Sequence, residues 1–200
     1  MMKKTSAILA VLLLLSTAAA AAVGPVEGKK FEFSTAISFD SIHYNNGTSY
    51  SETDTYFNIP FRLGYFIWKG LEFEPELLLM TYHEKWTTGS YNETSWLLSG
   101  NLVYNFKLKS PRWIPFILGG FGFGNGVPYS GTIERWSSQA KVTTPNLGVG
   151  VKYLFGNIAA LRLEYRFRSL RFKYSGVEMD AGPVQKISHN SVFLGLCLYF

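Results

Sequence analysis

The sequence predicts an all-β fold: eight antiparallel strands closed into a transmembrane β-barrel, behind a leader that export removes. Three observations carry this. Apolar and polar residues alternate with period two along the chain after the leader. Short turns alternate with long polar connections. The apolar face is large and aromatic while the polar face carries charges and glycines, the inverse of a small soluble barrel.

The chain has 200 residues, 47% of them hydrophobic, 16% aromatic and 16% charged. That suits one ordered domain and excludes a disordered chain. A disulfide framework is excluded, because Cys197 is the sole cysteine. The start reads as a signal peptide: basic Lys3 and Lys4, apolar Ile8 to Leu15, then small residues from Ser16 to Ala22. Cleavage is expected after Ala20 or Ala22, so residues 1–22 are the leader and 23–200 the barrel domain. No cysteine follows the cut to take a lipid. Beyond the leader no apolar run approaches the ~20 residues of a spanning helix. The net charge of +5 includes the two leader lysines, so the mature chain is only mildly basic and nucleic-acid binding has no support.

In the first strand Phe31, Phe33, Thr35, Ile37 and Phe39 oppose Glu32, Ser34, Ala36, Ser38 and Asp40. The second sets Phe57, Ile59, Phe61, Leu63 and Tyr65 against Asn58, Arg62 and Gly64. The third sets Leu71, Phe73, Leu77 and Leu79 against Glu72, Glu74 and Glu76. In the fourth, Trp96, Leu98, Leu102, Tyr104 and Phe106 oppose Ser99, Asn101, Asn105 and Lys107. The fifth runs from about Trp113 to Phe123 with Gly120, Gly122 and Gly124 on its smaller face. The sixth sets Leu147, Val149, Val151 and Tyr153 against Gly148, Gly150 and Lys152. The seventh sets Leu161, Leu163, Tyr165 and Phe167 against Arg162, Glu164, Arg166 and Arg168. The last sets Val192, Leu194, Leu196, Leu198 and Phe200 against Ser191, Gly195 and Cys197. Pro60 and Pro75 fall inside strands, where a missing N–H suggests bulges or displaced strand ends.

Lys69-Gly70 and Gly156-Asn157 read as two-residue turns, and Ser110 to Arg112 as another short one. Asn45 to Thr53, Glu84 to Glu93, Asn125 to Lys141 and Lys173 to Ser188 read as long loops. An even strand count with this alternation is the layout of a bacterial outer-membrane barrel, with its turns in the periplasm and its loops outside.

Three stretches carry a family resemblance. Pro115 to Gly122 looks like a Pro-aromatic, glycine-alternating strand; Leu163-Glu164-Tyr165-Arg166-Phe167 looks like a penultimate strand; and the chain stops at Phe200 after apolar residues at every second position. In these the chain resembles the small eight-stranded outer-membrane proteins of the OmpA-barrel and OmpX/Ail type. The resemblance implies a monomer in the bacterial outer membrane, in contact with its lipids and lipopolysaccharide. It implies that Leu196, Leu198 and Phe200 form a terminal signal for the barrel-assembly machinery. It also implies that any adhesive or host-protein contact belongs to the loops.

Eight strands leave a bore that side chains fill. The inward acids are Glu32, Asp40, Glu72, Glu74, Glu76 and Glu164; the inward bases are Arg62, Lys107, Lys152, Arg162, Arg166 and Arg168. The third and seventh strands face each other across the lumen, so the Glu72-Glu74-Glu76 ladder can meet the Arg162-Arg166-Arg168 ladder. Unpaired buried charge is costly, so the expected state is a salt-bridged plug. The alternative is a small pore whose charges line an ion path.

His43, His83 and His189 fall at loop-side strand ends on different faces, so no metal site is expected. Ser41, His43 and Glu52, or Ser188 and His189, are the residues available for a lipid A-modifying enzyme, but they lack the His-x-Ser-Asn pattern of barrel deacylases. The glycines from Gly119 to Gly126 do not match a phosphate loop. Trp68, Trp96, Trp113 and Trp136 suit interfacial girdles and loops. The expectation is therefore a non-catalytic barrel, without cofactor or metal, whose structural or surface-binding role resides in extracellular loops.

Overall fold

The computed structural model describes residue 26 and residues 28–45, 51–86, 89–108, 112–125, 141–173 and 184–200. The expected leader, Trp136 and the two longest loops lie outside the described residues. The strands are β1 (Phe31–Asn45), β2 (Ser51–Trp68), β3 (Leu71–Trp86), β4 (Gly89–Asn105), β5 (Trp113–Asn125), β6 (Lys141–Leu154), β7 (Ala159–Lys173) and β8 (Val184–Tyr199). Each pairs antiparallel with its sequence neighbours, and β8 returns to β1 to close the barrel.

The pairing register sets the shape. Partner follows partner from Thr35 to Phe61, Leu77, Leu98, Phe123, Thr143, Arg171 and Lys186. That walk ends ten residues along β8 from Leu196, which pairs with Thr35 itself. Such a stagger tilts the strands against the barrel axis, as closure requires. The β1–β8 ladder runs from Glu32↔Tyr199 to Ile37↔Leu194. It is fastened at its base by reciprocal backbone bonds between Phe31 and Phe200, each 3.0 Å, and by their stacked rings.

Lys69 and Gly70 both take positive φ, 30° and 91°, as the tight hairpin between β2 and β3 requires. The β6–β7 connection spans Phe155 to Ile158 with Gly156 at φ 82°, longer than the two residues expected. The expected loop Glu84 to Glu93 is mostly strand, since β3 and β4 pair as far as Trp86↔Gly89, and the expected loop Asn45 to Thr53 carries strand at both ends, because β1 runs to Asn45 and β2 begins at Ser51. These outer ends are polar on both faces, so they carry no apolar alternation, yet their Thr, Tyr and Ser residues suit extended backbone.

Pro60 and Pro75 also differ from expectation, because neither makes a bulge. Pro60 pairs with Leu78 on one side, while the β1–β2 ladder lapses beside it and resumes in register from Ser38↔Asn58. Pro75 pairs with Gly100, and the β2–β3 ladder resumes in register at Tyr65↔Phe73. Each proline turns its missing donor to one neighbour only, and its fixed φ fits a strand. The register of the β2–β3 ladder shifts instead between Phe66 and Trp68, at the entry to the turn.

Candidate functional site

Alternation sends Phe33, Ile37, Phe61, Leu63, Leu102, Phe121, Leu147, Leu163 and Leu196 outward, all exposed. A water-soluble domain would not leave so continuous an apolar belt uncovered. Trp68 and Trp113 stand exposed at the turn end, with Trp113 packed 4.7 Å from Tyr153, and Trp96 stands exposed towards the loop end. These are the girdle positions of a membrane-spanning barrel.

Inside, five acids and five bases are buried among the described residues: Glu32, Glu72, Glu74, Glu76 and Glu164 with Arg62, Lys152, Arg162, Arg166 and Arg168. They form one connected network. At the turn end Lys152 Nζ sits 2.5 Å from Glu32 and 3.3 Å from Glu72. Asn105 Nδ2 donates to Glu72 at 3.0 Å. In the middle Arg162 reaches across the bore to Glu74 at 2.5 Å and along its own strand to Glu164 at 2.7 Å. Arg166 joins Glu164 at 2.5 Å to Glu76 at 3.1 Å. Glu76 also takes Arg62 Nε at 2.7 Å and Arg168 Nη2 at 3.4 Å. The β3 and β7 ladders therefore meet through Glu74 and Glu76, while Glu72 pairs with β6.

The network does not fill the lumen alone. Phe66, Ile114, Leu154, Ala160, Cys197 and Tyr199 form a buried apolar cluster at the turn end. Ala36, Leu78, Leu97, Val142, Leu170 and Phe193 form another towards the loop end. Phe193 of that cluster, and Phe116, which is buried with Val103 and Leu118, pack against the charges: Arg162 lies 4.6 Å from the Phe116 ring centre, and Arg62 and Arg168 lie 5.4 and 5.2 Å from that of Phe193. A belt of ion pairs between two apolar layers is shielded from water at both ends. In that setting a fully matched set of charges is favoured, because any unmatched one costs several kcal/mol by the general estimate of ~3–5. Period-two alternation alone does not mark the inward apolar layers. A count of apolar residues at inward positions, Phe66, Leu78 and Leu97 among them, would have found them.

Two assignments change or fall away. Lys107 is not in the lumen: β4 ends at Asn105, strand parity stops there, and the side chain stands exposed beside the turn. Asp40 lies on β1 opposite Tyr56, and its side chain is outside the described residues. Leu196, Leu198 and Phe200 are exposed along the outward row.

The described side chains of His83 and His189 are not brought together. His83 on β3 holds Asn92 of β4 through Nδ1 at 2.5 Å. His189 is buried in the lumen beside Ser191, whose Oγ is 3.4 Å from Nδ1, and near the Tyr56 ring. His43 pairs through its backbone with Thr53, and the β1–β8 ladder ends below its level. Of the residues available to a lipid A enzyme, Ser188 is exposed and His189 buried on opposite faces of β8, and the side chains of Ser41, His43 and Glu52 lie outside the described residues. Carboxylate oxygens of Glu32, Glu72 and Glu74 lie within 4.8 Å of one another, close enough to consider a cation. Lys152 and Arg162 already supply the positive charge there.

The sequence profile of the outer membrane protein beta-barrel domain family matches residues 7–195. The N-terminal β-barrel domain of Pseudomonas aeruginosa OprF is similar in fold: 16% identity, TM-score 0.50, covering 87% of this chain and 100% of that one. A de novo designed transmembrane β-barrel aligns at 12% identity and TM-score 0.40, covering 88% of this chain and 99% of the other. Among curated proteins, none matches the chain. With an eight-stranded closed barrel, an apolar outer belt and a family profile spanning nearly its whole length, the chain belongs to the outer membrane protein beta-barrel domain family, as a small OmpA-like barrel.

Proposed function

We propose that this protein is a sealed, non-catalytic barrel of the bacterial outer membrane that presents its strand ends and loops at the cell surface for structural or adhesive contact. The observation that carries this reading is the lumen: five buried acids matched by five buried bases, with apolar clusters on either side. Ion pairs and apolar side chains packed across the bore argue against the small pore. Ser188 is exposed while His189 is buried in the lumen, which argues against a lipid A enzyme built on that pair. Strand length supports the surface role. β2, β3 and β4 have 18, 16 and 17 residues, whereas about 9–11 cross a membrane. Their loop-side ends therefore project beyond the bilayer as paired strands, a rigid base for contact.

The test is conductance across a planar bilayer holding the purified, folded protein. No discrete current steps are expected. Stable ohmic steps whose ion selectivity changes with Arg162→Gln would establish a pore instead. Mass spectrometry of lipid A from expressing cells checks the enzymatic alternative, and an unchanged acyl pattern is expected.

A further inference from the structure

The loop-side ends of β6, β7 and β8 carry a concentration of like charge. Lys141 pairs directly with Lys173, and Arg171 pairs directly with Lys186. Lys141, Arg171 and Lys173 are exposed. Like charges opposite one another across a ladder repel and destabilise the pair. Nothing on these strands offsets them: the one acid of β6, β7 and β8 is Glu164, which is buried in the lumen. An anion lying against such a patch would relieve the repulsion.

Its place in the fold indicates which anion. Leu147, Phe167 and Val192 are outward apolar residues of the three strands, all exposed on the lipid face. By register the rows then pass through Pro145, Ser169 and Ser188 to Thr143, Arg171 and Lys186, and end at Lys141, Lys173 and Val184. Arg171 stands four residues beyond Phe167, roughly 13 Å along a strand at ~3.3 Å per residue, and less along the membrane normal because the strand is tilted. That is headgroup depth. Long cationic side chains there keep their stems over apolar surface and their charges among polar groups.

We infer that Lys141, Arg171 and Lys173, with Thr143 beside them, form a binding site for the phosphate groups of an outer-leaflet glycolipid. This rests on the outer-membrane reading above, with the β6–β8 loop ends facing outward. The arginine supplies a planar pair of donors for phosphate oxygens, the lysines supply point charge, and the Thr143 hydroxyl adds a further donor.

The experiment uses the folded barrel in detergent micelles, with bisphosphorylated lipid A, its fully dephosphorylated form and inorganic phosphate as separate probes, read by native mass spectrometry. The wild type should retain bisphosphorylated lipid A. The triple variant Lys141→Gln/Arg171→Gln/Lys173→Gln should bind it on the order of a hundredfold more weakly, at roughly fivefold per cation near a charged lipid surface. The dephosphorylated lipid should bind the wild type as weakly as the phosphorylated lipid binds the variant. A control triple at the turn end, Lys69→Gln/Lys107→Gln/Arg112→Gln, should leave binding unchanged. Equal retention by wild type and the Lys141 triple variant would overturn the site. So would equal retention of both lipids, or displacement of the lipid by millimolar inorganic phosphate, which would mark a free-anion site. Failure of the wild type to insert into bilayers would instead overturn the outer-membrane reading, so the two failures are distinct.

Discussion

Reversing Arg166 to glutamate attacks the network at a central joint. Arg166 lies 2.5 Å from Glu164 and 3.1 Å from Glu76, and all three side chains are fully shielded. Arg166→Glu removes two ion pairs and sets a third carboxylate between two others, leaving Arg62, Arg162 and Arg168 to serve them. Loss of one partner of a buried pair costs ~3–5 kcal/mol. Each new like-charge contact near 4 Å adds up to ~4 kcal/mol at an effective dielectric of ~20, unless a carboxyl takes up a proton. A loss of about 4 kcal/mol is the conservative expectation. With a urea slope of roughly 2 kcal/mol per molar, the unfolding midpoint should fall by about 2 M. The assay is urea titration in lipid vesicles, following the gel mobility difference between folded and unfolded barrel. The swap Arg166→Glu/Glu164→Arg restores alternating charge and should recover part of the loss. A midpoint equal to wild type for Arg166→Glu would refute the reasoning, because it would mean that water already screens these charges.

Other outcomes follow from the same structure. Deletion of Phe200 removes the backbone bonds and ring stack that fasten β1 to β8, so the folded amount in the outer membrane should drop; unchanged insertion would count against its role in assembly. Gly150→Val should lower stability by about 1–3 kcal/mol, since a Cβ there would collide with the Leu163 carbonyl and the Phe116 ring that Arg162 packs on. A urea midpoint within error of wild type would show that Phe116 moves freely aside. The native chain should run as a heat-modifiable monomer on gels, and a detergent-independent soluble monomer would contradict the barrel.

Lipid made the strands legible. Because the solvent outside the barrel is apolar, residues such as Phe33, Leu63 and Leu163 had to alternate with whatever fills the bore, and Glu74, Arg162 and Arg166 stood out against them. What escaped notice is also physical. Leu77-Leu78-Leu79 and Tyr65-Phe66-Ile67 are continuous apolar runs, so Leu78 and Phe66 look the same as their outward neighbours although they point into the lumen. The strand ends above the membrane are polar on both faces, and with water on each side no alternation marks them. Lys107 was misplaced because parity has no force past the last ladder residue. The basic patch was invisible for another reason: Lys141, Arg171, Lys173 and Lys186 are scattered in sequence and become neighbours only through the register of β6, β7 and β8.

The central claim is that the lumen is closed to water from both ends, and Cys197 reports on it directly. This single thiol is fully buried among Ile114, Leu154, Ala160 and Tyr199, between the charge network and the turn end. Reaction of a small water-soluble maleimide with the folded barrel in vesicles, timed against the urea-unfolded chain, measures whether water reaches that depth. The account predicts no labelling of the folded protein over hours and rapid labelling once it unfolds. Labelling of the folded barrel at a rate near that of the unfolded chain would contradict a sealed lumen.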